Sequence, residues 1–190
     1  MKTGLYFGSF NPVHIGHMAI ANYIAEFTDC RQVWFVISPH NPFKKKSTLL
    51  DDYARYELLQ LAIDDDSRFR VSDIEFRLPK PSYTINTLTY LSEQYPKNEF
   101  VLIMGSDNLP AFNKWKNHEI IENNYARLVY PRPGSEKYRQ QEWKNLSFID
   151  APMIEISSSF IRDAIAGGKN VRHFLPPKVY EEIEKMNYYK

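Results

Sequence analysis

At 190 residues the chain is long enough for one domain with a substantial core, and 43% hydrophobic and 25% charged residues are ordinary for a soluble globular protein. A formal net charge of +1 supplies no global field to draw nucleic acid or an acidic membrane surface. The single cysteine, Cys30, excludes an internal disulfide and a cysteine-rich metal site, and no run approaches the roughly eighteen apolar residues that span a bilayer.

The first residues enter a strand without a basic, apolar leader, so the expected location is the cytoplasm. Leu5-Tyr6-Phe7 is a short apolar run closed by Gly8, as a buried parallel strand closes. Gly8-Ser9-Phe10-Asn11-Pro12 is turn chemistry, and apolar residues then recur at helical spacing from Met18 to Phe27. His14 and His17, three apart where that helix begins, fall on one helix face. A helix N-terminus offers unpaired N–H groups and the positive end of the macrodipole, which together attract anions. Gly8 and Gly16 lack a Cβ and would let a ligand approach the main chain. Polar residues at a helix start and a zinc pair are the competing readings. Zinc wants His at i and i+4 with further ligands. The combination favours a phosphate-binding turn.

Gln32 to Ile37 is a second buried-strand run, and the polar loop from His40 to Ser47 carries Lys44, Lys45 and Lys46. Those lysines are either a solvated surface or phosphate ligands beside the first turn. Leu49 to Ile63 reads as an amphipathic helix with Asp51 and Asp52 in its first turn, ended by Asp64-Asp65-Asp66. Arg68 to Phe76 alternates like a strand near an edge. A helix begins behind Pro79 and Pro81, with Ser82 or Thr84 as its cap, and its start is a second candidate anion site.

Glu99 to Met104 is the clearest buried strand, and it leads into the Gly105 to Pro110 loop. Asp107 there is either a cap or an acceptor for a ribose or a metal-bound water, and Trp115 is either a core ring or a plate for an aromatic ligand. Ala126 to Tyr130 is a strand followed by a Pro131 to Ser135 loop, and Glu136 to Asn145 is polar and without clear pattern. Leu146 to Asp150 and Met153 to Ile156 are short strand candidates. Ser157, Ser158 and Ser159 precede a short helix stopped by Gly167-Gly168. Arg162 lies in the first turn of that helix, where a cation opposes the dipole unless an anion is near, which points to a phosphate. A last helix opens at Pro176-Pro177. Strands alternating with helices predict one α/β domain over residues 1–190, with a Rossmann-like, doubly wound parallel sheet. The loops after Phe7, Ile37, Met104 and Ile156 would all open on one crevice.

No nucleophile–base pair stands out. Imidazole, guanidinium, ammonium and hydroxyl donors around glycine turns suit nucleotidyl transfer, which rests on positioning and charge stabilisation. A phosphate monoester is largely dianionic at neutral pH and attacks without a general base.

Gly8-x-Phe10-x-Pro12-x-His14-x-Gly16-His17 and Ile156-Ser-Ser-Ser-Phe-Ile-Arg162 resemble the two signatures of the His-x-Gly-His nucleotidyltransferase superfamily. Within it, Pro81-Ser-Tyr-Thr-Ile-Asn-Thr-Leu, Gly105-Ser-Asp-Asn-Leu, Lys114-Trp-Lys and Leu175-Pro-Pro with Tyr188-Tyr189 resemble the bacterial nicotinate-nucleotide adenylyltransferases over essentially the whole chain. Asn86 departs from the aspartate usual there. The resemblance implies that ATP and nicotinate mononucleotide, with Mg²⁺, give nicotinate adenine dinucleotide and pyrophosphate. It implies His14, His17 and Arg162 as the catalytic set, and Gly8, Ser9, Phe10, Gly16, Lys46, Gly105, Asp107, Ser157 and Ser158 at ATP. Asn11, Lys44, Tyr83, Thr84 and Trp115 fall to the mononucleotide, with no resident metal site and with oligomeric state open. Which of Lys44, Lys45 and Lys46 meets phosphate also stays open. A phosphopantetheine adenylyltransferase, against which the Tyr83-Thr84 segment argues, and a nucleotide-binding module without turnover are the alternatives.

Overall fold

Alternation along the central strands decides which helix packs where. The computed structural model describes residues 1–39, 49–134 and 136–190. Its strands are β1 (Lys2–Gly8), β2 (Gln32–Ile37), β3 (Phe69–Ser72), β4 (Glu99–Gly105), β5 (Ala126–Tyr130) and β6 (Leu146–Phe148). They form one parallel sheet in the order β3-β2-β1-β4-β5-β6. At its centre Leu5 pairs with Trp34 on one side and Leu102 on the other. Successive residues point to opposite faces. Tyr6, Val33, Phe35, Val101 and Ile103 therefore belong to one core, and Leu5, Trp34, Val36, Leu102 and Met104 to the other.

The helices complete those cores. On the first face α1 (Ile15–Phe27), α2 (Asp52–Ile63), α6 (Ser158–Ala166) and α7 (Pro177–Met186) contribute Ile20, Ile24, Leu58, Ile161, Ile165 and Ile183. On the second, α4 (Thr84–Gln94) and α5 (His118–Asn124) contribute Ile85, Leu88, Leu91 and Ile121. This is the expected Rossmann-like, doubly wound architecture. Strand order reverses between β1 and β4, so the crevice lies beyond Gly8 and Gly105. Among the described residues no helix is long and apolar enough to cross a membrane.

Four local expectations are corrected. The strand expected from Arg68 to Phe76 stops at Ser72, and Ile74–Arg77 form a helical turn, α3. Continued alternation would have set Asp73 and Glu75 beside Val71 in the first core, whereas the turn swings buried Glu75 to accept from Thr87 Oγ1 on α4 at 2.8 Å. Met153 to Ile156 form no strand: Pro152 carries no N–H for a ladder, and Met153 is exposed. Asp51 lies outside the first turn of α2 as its N-cap, accepting the Tyr53 N–H at 2.9 Å. Neither Ser82 nor Thr84 caps α4. Tyr83 occupies that position in extended backbone with no side-chain cap, and Ser82 Oγ is buried without a hydrogen-bond partner among the described residues. Glu136–Gln140, unpatterned in sequence, form a short 3₁₀ segment.

Candidate active site

The turn after β1 is built around two imidazoles. His14 is the N-cap of α1, and His17 stands in the helix's first turn. Their rings face each other with centroids 3.7 Å apart, as the spacing of three requires. His17 Nδ1 accepts the His14 backbone N–H at 3.2 Å, which fixes the ring and leaves Nε2 for other work. Burial pushes the His14 imidazole down to about 4, and the Arg132 guanidinium adds to the effect. Burial, then His14, then Arg132, hold His17 well below the ordinary imidazole value. Both rings are neutral at neutral pH in this state. A polyanion entering between them and Arg132 would reverse that field and favour their protonation.

The two glycines of the turn sit hard against neighbouring rings. A Cβ on Gly8 would stand 3.0 Å from the Phe10 ring, and one on Gly16 would stand 3.0 Å from His14 Nδ1. The space they leave is taken by the protein's own rings. Phe10, in left-handed backbone with φ 45, buries its ring against Tyr6, Phe35 and His17. Ser9 is exposed at the turn's tip.

Remote segments fasten this turn. Arg55 on α2, fully buried, donates through Nη1 to the carbonyls of Ser9 (2.6 Å) and Ser38 (2.9 Å), and through Nε to Leu50 O (3.1 Å). Ser158 Oγ donates to Pro12 O at 2.9 Å. Arg162 Nη1 donates to Asn11 O at 2.7 Å, while its Nη2 holds Ser159 Oγ at 3.2 Å. Ser157 is the cap of α6 and accepts the Phe160 N–H at 3.1 Å. Asn11 itself is buried, its Oδ1 accepting from Leu50 N–H and Tyr189 Oη. The three serine hydroxyls thus all have protein partners. The fold brings the guanidinium of Arg162 to the turn that carries both imidazoles, although Ile156 follows no strand.

Across the switch point, β4 runs into a 3₁₀ helix (Ser106–Lys114) where a plain loop was expected. A Cβ on Gly105 would lie 2.3 Å from Asp107 Oδ1 and 3.1 Å from the Tyr130 ring, so only glycine admits that carboxylate there. Asn108 Nδ2 lies 3.4 Å from the same oxygen. Buried Ser106 Oγ accepts the Arg132 N–H at 2.8 Å, and the Arg132 guanidinium stands 5.2 Å over the Tyr130 ring. Sequence reading passed over Arg132 as loop. Its signal was position, two residues beyond the carboxyl end of a strand.

A cavity of about 230 Å³ opens at the start of α4. Ser82, Tyr83 and Thr84 line one side, and Lys114, Trp115 and Lys116 line the other, with Ile121 completing it. The first N–H groups of α4 have no carbonyl partner within the helix. Trp115 is half-buried, tilted against Phe112 at 5.5 Å, and Lys116 Nζ sits 4.4 Å over the Tyr83 ring. The cavity combines an aromatic plate, cationic rims and a helix N-terminus, which suits a flat, anionic ring. Lys44 and Lys46 lie outside the described residues.

Known proteins resemble this chain in sequence and in fold. Residues 5–164 match the family model described as cytidylyltransferase-like. The chain is 53% identical, over the full length of both, to a probable nicotinate-nucleotide adenylyltransferase of Flavobacterium johnsoniae. It is equally identical to one of Bacteroides fragilis over 96% of this chain and 90% of that protein. In fold it is similar to a nicotinic acid mononucleotide adenylyltransferase of Plasmodium falciparum solved with nicotinate adenine dinucleotide (NaAD), at TM-score 0.80 and 19% identity, covering 99% and 97% of the two chains. A putative nicotinate-nucleotide adenylyltransferase of Vibrio parahaemolyticus matches at TM-score 0.73 and 23% identity, covering 99% and 94%.

Proposed function

Because this chain belongs to the cytidylyltransferase-like family, and within it to the nicotinate-nucleotide adenylyltransferases, we propose that its crevice transfers the adenylyl group of ATP to nicotinate mononucleotide. The mononucleotide's phosphate oxygen attacks the α-phosphorus, the bond to the β-phosphate oxygen breaks, and pyrophosphate leaves as nicotinate adenine dinucleotide forms. The dianionic attacking phosphate needs no proton removed. The protein's task is to align two polyanions and to stabilise the charge passed to the leaving group.

In this reading His14, His17 and Arg162 are the catalytic residues, with His17 Nε2 facing the charge that develops on transfer. Gly8, Ser9, Phe10 and Gly16 present main chain to ATP; Gly105, Asp107, Ser157 and Ser158 also bind ATP, Asp107 as an acceptor for the ribose. Lys46 joins them from the lysine loop. Arg132 is added to the phosphate side, since its charge already acts on both imidazoles. Asn11 and Lys44 serve the mononucleotide, Asn11 by shaping the turn. The α4 N–H groups at Tyr83 and Thr84 receive the nicotinate carboxylate, and Trp115 stacks on the pyridine ring. The observation that carries the reading is Arg162 Nη1 at 2.7 Å from Asn11 O, within the segment that leads to His14.

Nucleotidyltransferases of this family work with ATP and a divalent metal. We assign Mg²⁺, arriving on the triphosphate, because it keeps several waters and takes phosphate oxygens readily. Among the described residues no three carboxylate, imidazole or thiol groups gather in a way that would hold an ion. Nucleic acid and membrane are not partners in this reading, and the location remains the cytoplasm of the sequence expectation, which cell fractionation checks.

The test is product formation. ATP, Mg²⁺ and nicotinate mononucleotide should yield dinucleotide and pyrophosphate in equal amounts, faster than with nicotinamide mononucleotide. Tight ATP binding with no product would leave only a nucleotide-binding module.

A further inference from the structure

Tyr189 has no part in the reaction above, yet it stands against the turn that does. It lies beyond α7, and its hydroxyl donates to Asn11 Oδ1 at 2.7 Å across 178 positions of sequence. The same oxygen accepts Leu50 N–H at 3.2 Å, which fills both acceptor sites of the amide carbonyl. Asn11 is 3% exposed, and its backbone carbonyl is the seat of Arg162 Nη1. The guanidiniums of Arg162 and Arg55 both lie near enough to act on the Tyr189 hydroxyl, and burial pushes that phenol's pKa well up. It is therefore a donor across the whole range in which an enzyme is assayed.

We infer that Tyr189 is a positioning residue for nucleotidyl transfer: its hydroxyl holds Asn11, and Asn11 holds the guanidinium of Arg162 where the phosphates arrive. The inference rests on the proposed role of Arg162. A small misplacement of an aligned donor costs the chemical step more than it costs substrate binding, which is spread over many groups. A residue that only filled space would lower stability and leave turnover alone.

Tyr189→Phe keeps the ring and removes the donor. It is expected to lower kcat about tenfold while both KM values stay within about threefold. Tm should move by no more than about 3 °C. Tyr188→Phe, the neighbouring phenol, should leave kcat unchanged. In a double-mutant cycle, adding Tyr189→Phe to Arg162→Lys should cost less than about twofold more, because the two act through one contact. An unchanged kcat in Tyr189→Phe, full additivity with Arg162→Lys, or a Tm loss beyond about 8 °C would each overturn the inference. A parent enzyme that makes no dinucleotide would instead overturn the reading of the site. Dinucleotide from the parent together with an indifferent Tyr189→Phe would overturn only the positioning role.

Discussion

His14 caps the helix whose first turn holds His17, and the two rings use their nitrogens differently. His17 uses Nδ1 on the His14 N–H, so its other nitrogen is aimed by that bond, as a group facing developing charge must be. His17→Ala should lower kcat by roughly 10²–10³ in a folded protein, the scale of a lost oxyanion donor. A loss of less than tenfold in steady-state kinetics removes His17 from the mechanism. His14 also links the site to stability. Its folded-state pKa, about 4, lies below the ordinary value of 6.5. The unfolded chain therefore binds the extra proton between those limits. Stability is full above pH 6.5 and declines as pH falls towards 4, by roughly 3 kcal/mol from this group alone. Urea titrations of parent and His14→Gln at pH 7 and pH 5 should show a smaller pH dependence in the variant. At the cavity, Trp115→Ala should raise KM for nicotinate mononucleotide more than KM for ATP. Equal changes in the two would count against stacking. Sequence alone offered the histidines, Arg162 and Trp115, because each carries chemistry at a telling local position. It hid Arg132, whose charge matters only once β5 lies beside β4.

At the scale of elements, the first turn is held by contacts from α2, α6 and the segment after α7. Arg55 is the most heavily used of these fasteners. Its buried guanidinium serves three carbonyls and the carboxylate of Asp52. Arg55→Met would take this donor from the three carbonyls in a dry place, at about 1–3 kcal/mol for each that finds no water. An expected loss of about 3–5 kcal/mol follows, measured by denaturant unfolding. A loss under 1 kcal/mol would show that water replaces the side chain easily. Element boundaries were legible wherever a cap or stop was local, as at Ser157 and Gly167. They were misread where a distant surface decided, as at Glu75, which leaves the strand's alternation to meet Thr87 on α4.

At the scale of the whole molecule, substrate binding and folding are linked. ATP binds only the assembled crevice, so saturation at a hundred times Kd should add about 2.7 kcal/mol of stability. The rise in Tm with ATP should shrink in Arg162→Ala, and an undiminished rise would place the triphosphate elsewhere. Binding should also take up protons near pH 6, as the depressed imidazoles meet an anion. Calorimetry in buffers of different ionisation enthalpy reads that uptake directly.

The order of strands and helices, the strand–turn–helix at residues 5–27 and the capped helix bearing Arg162 are written in the sequence, because periodicity, turn chemistry and caps depend on residues within a few positions of each other. The sheet order that places β1 beside β4, and the contacts of Arg162 and Tyr189 with Asn11 across 151 and 178 positions, were decided by the tertiary structure. The use of Gly8, Gly16 and Gly105 to house the protein's own side chains belongs with them. Such contacts are set by the packing of the two faces of the sheet, and no local pattern of residues encodes where a distant element will come to rest.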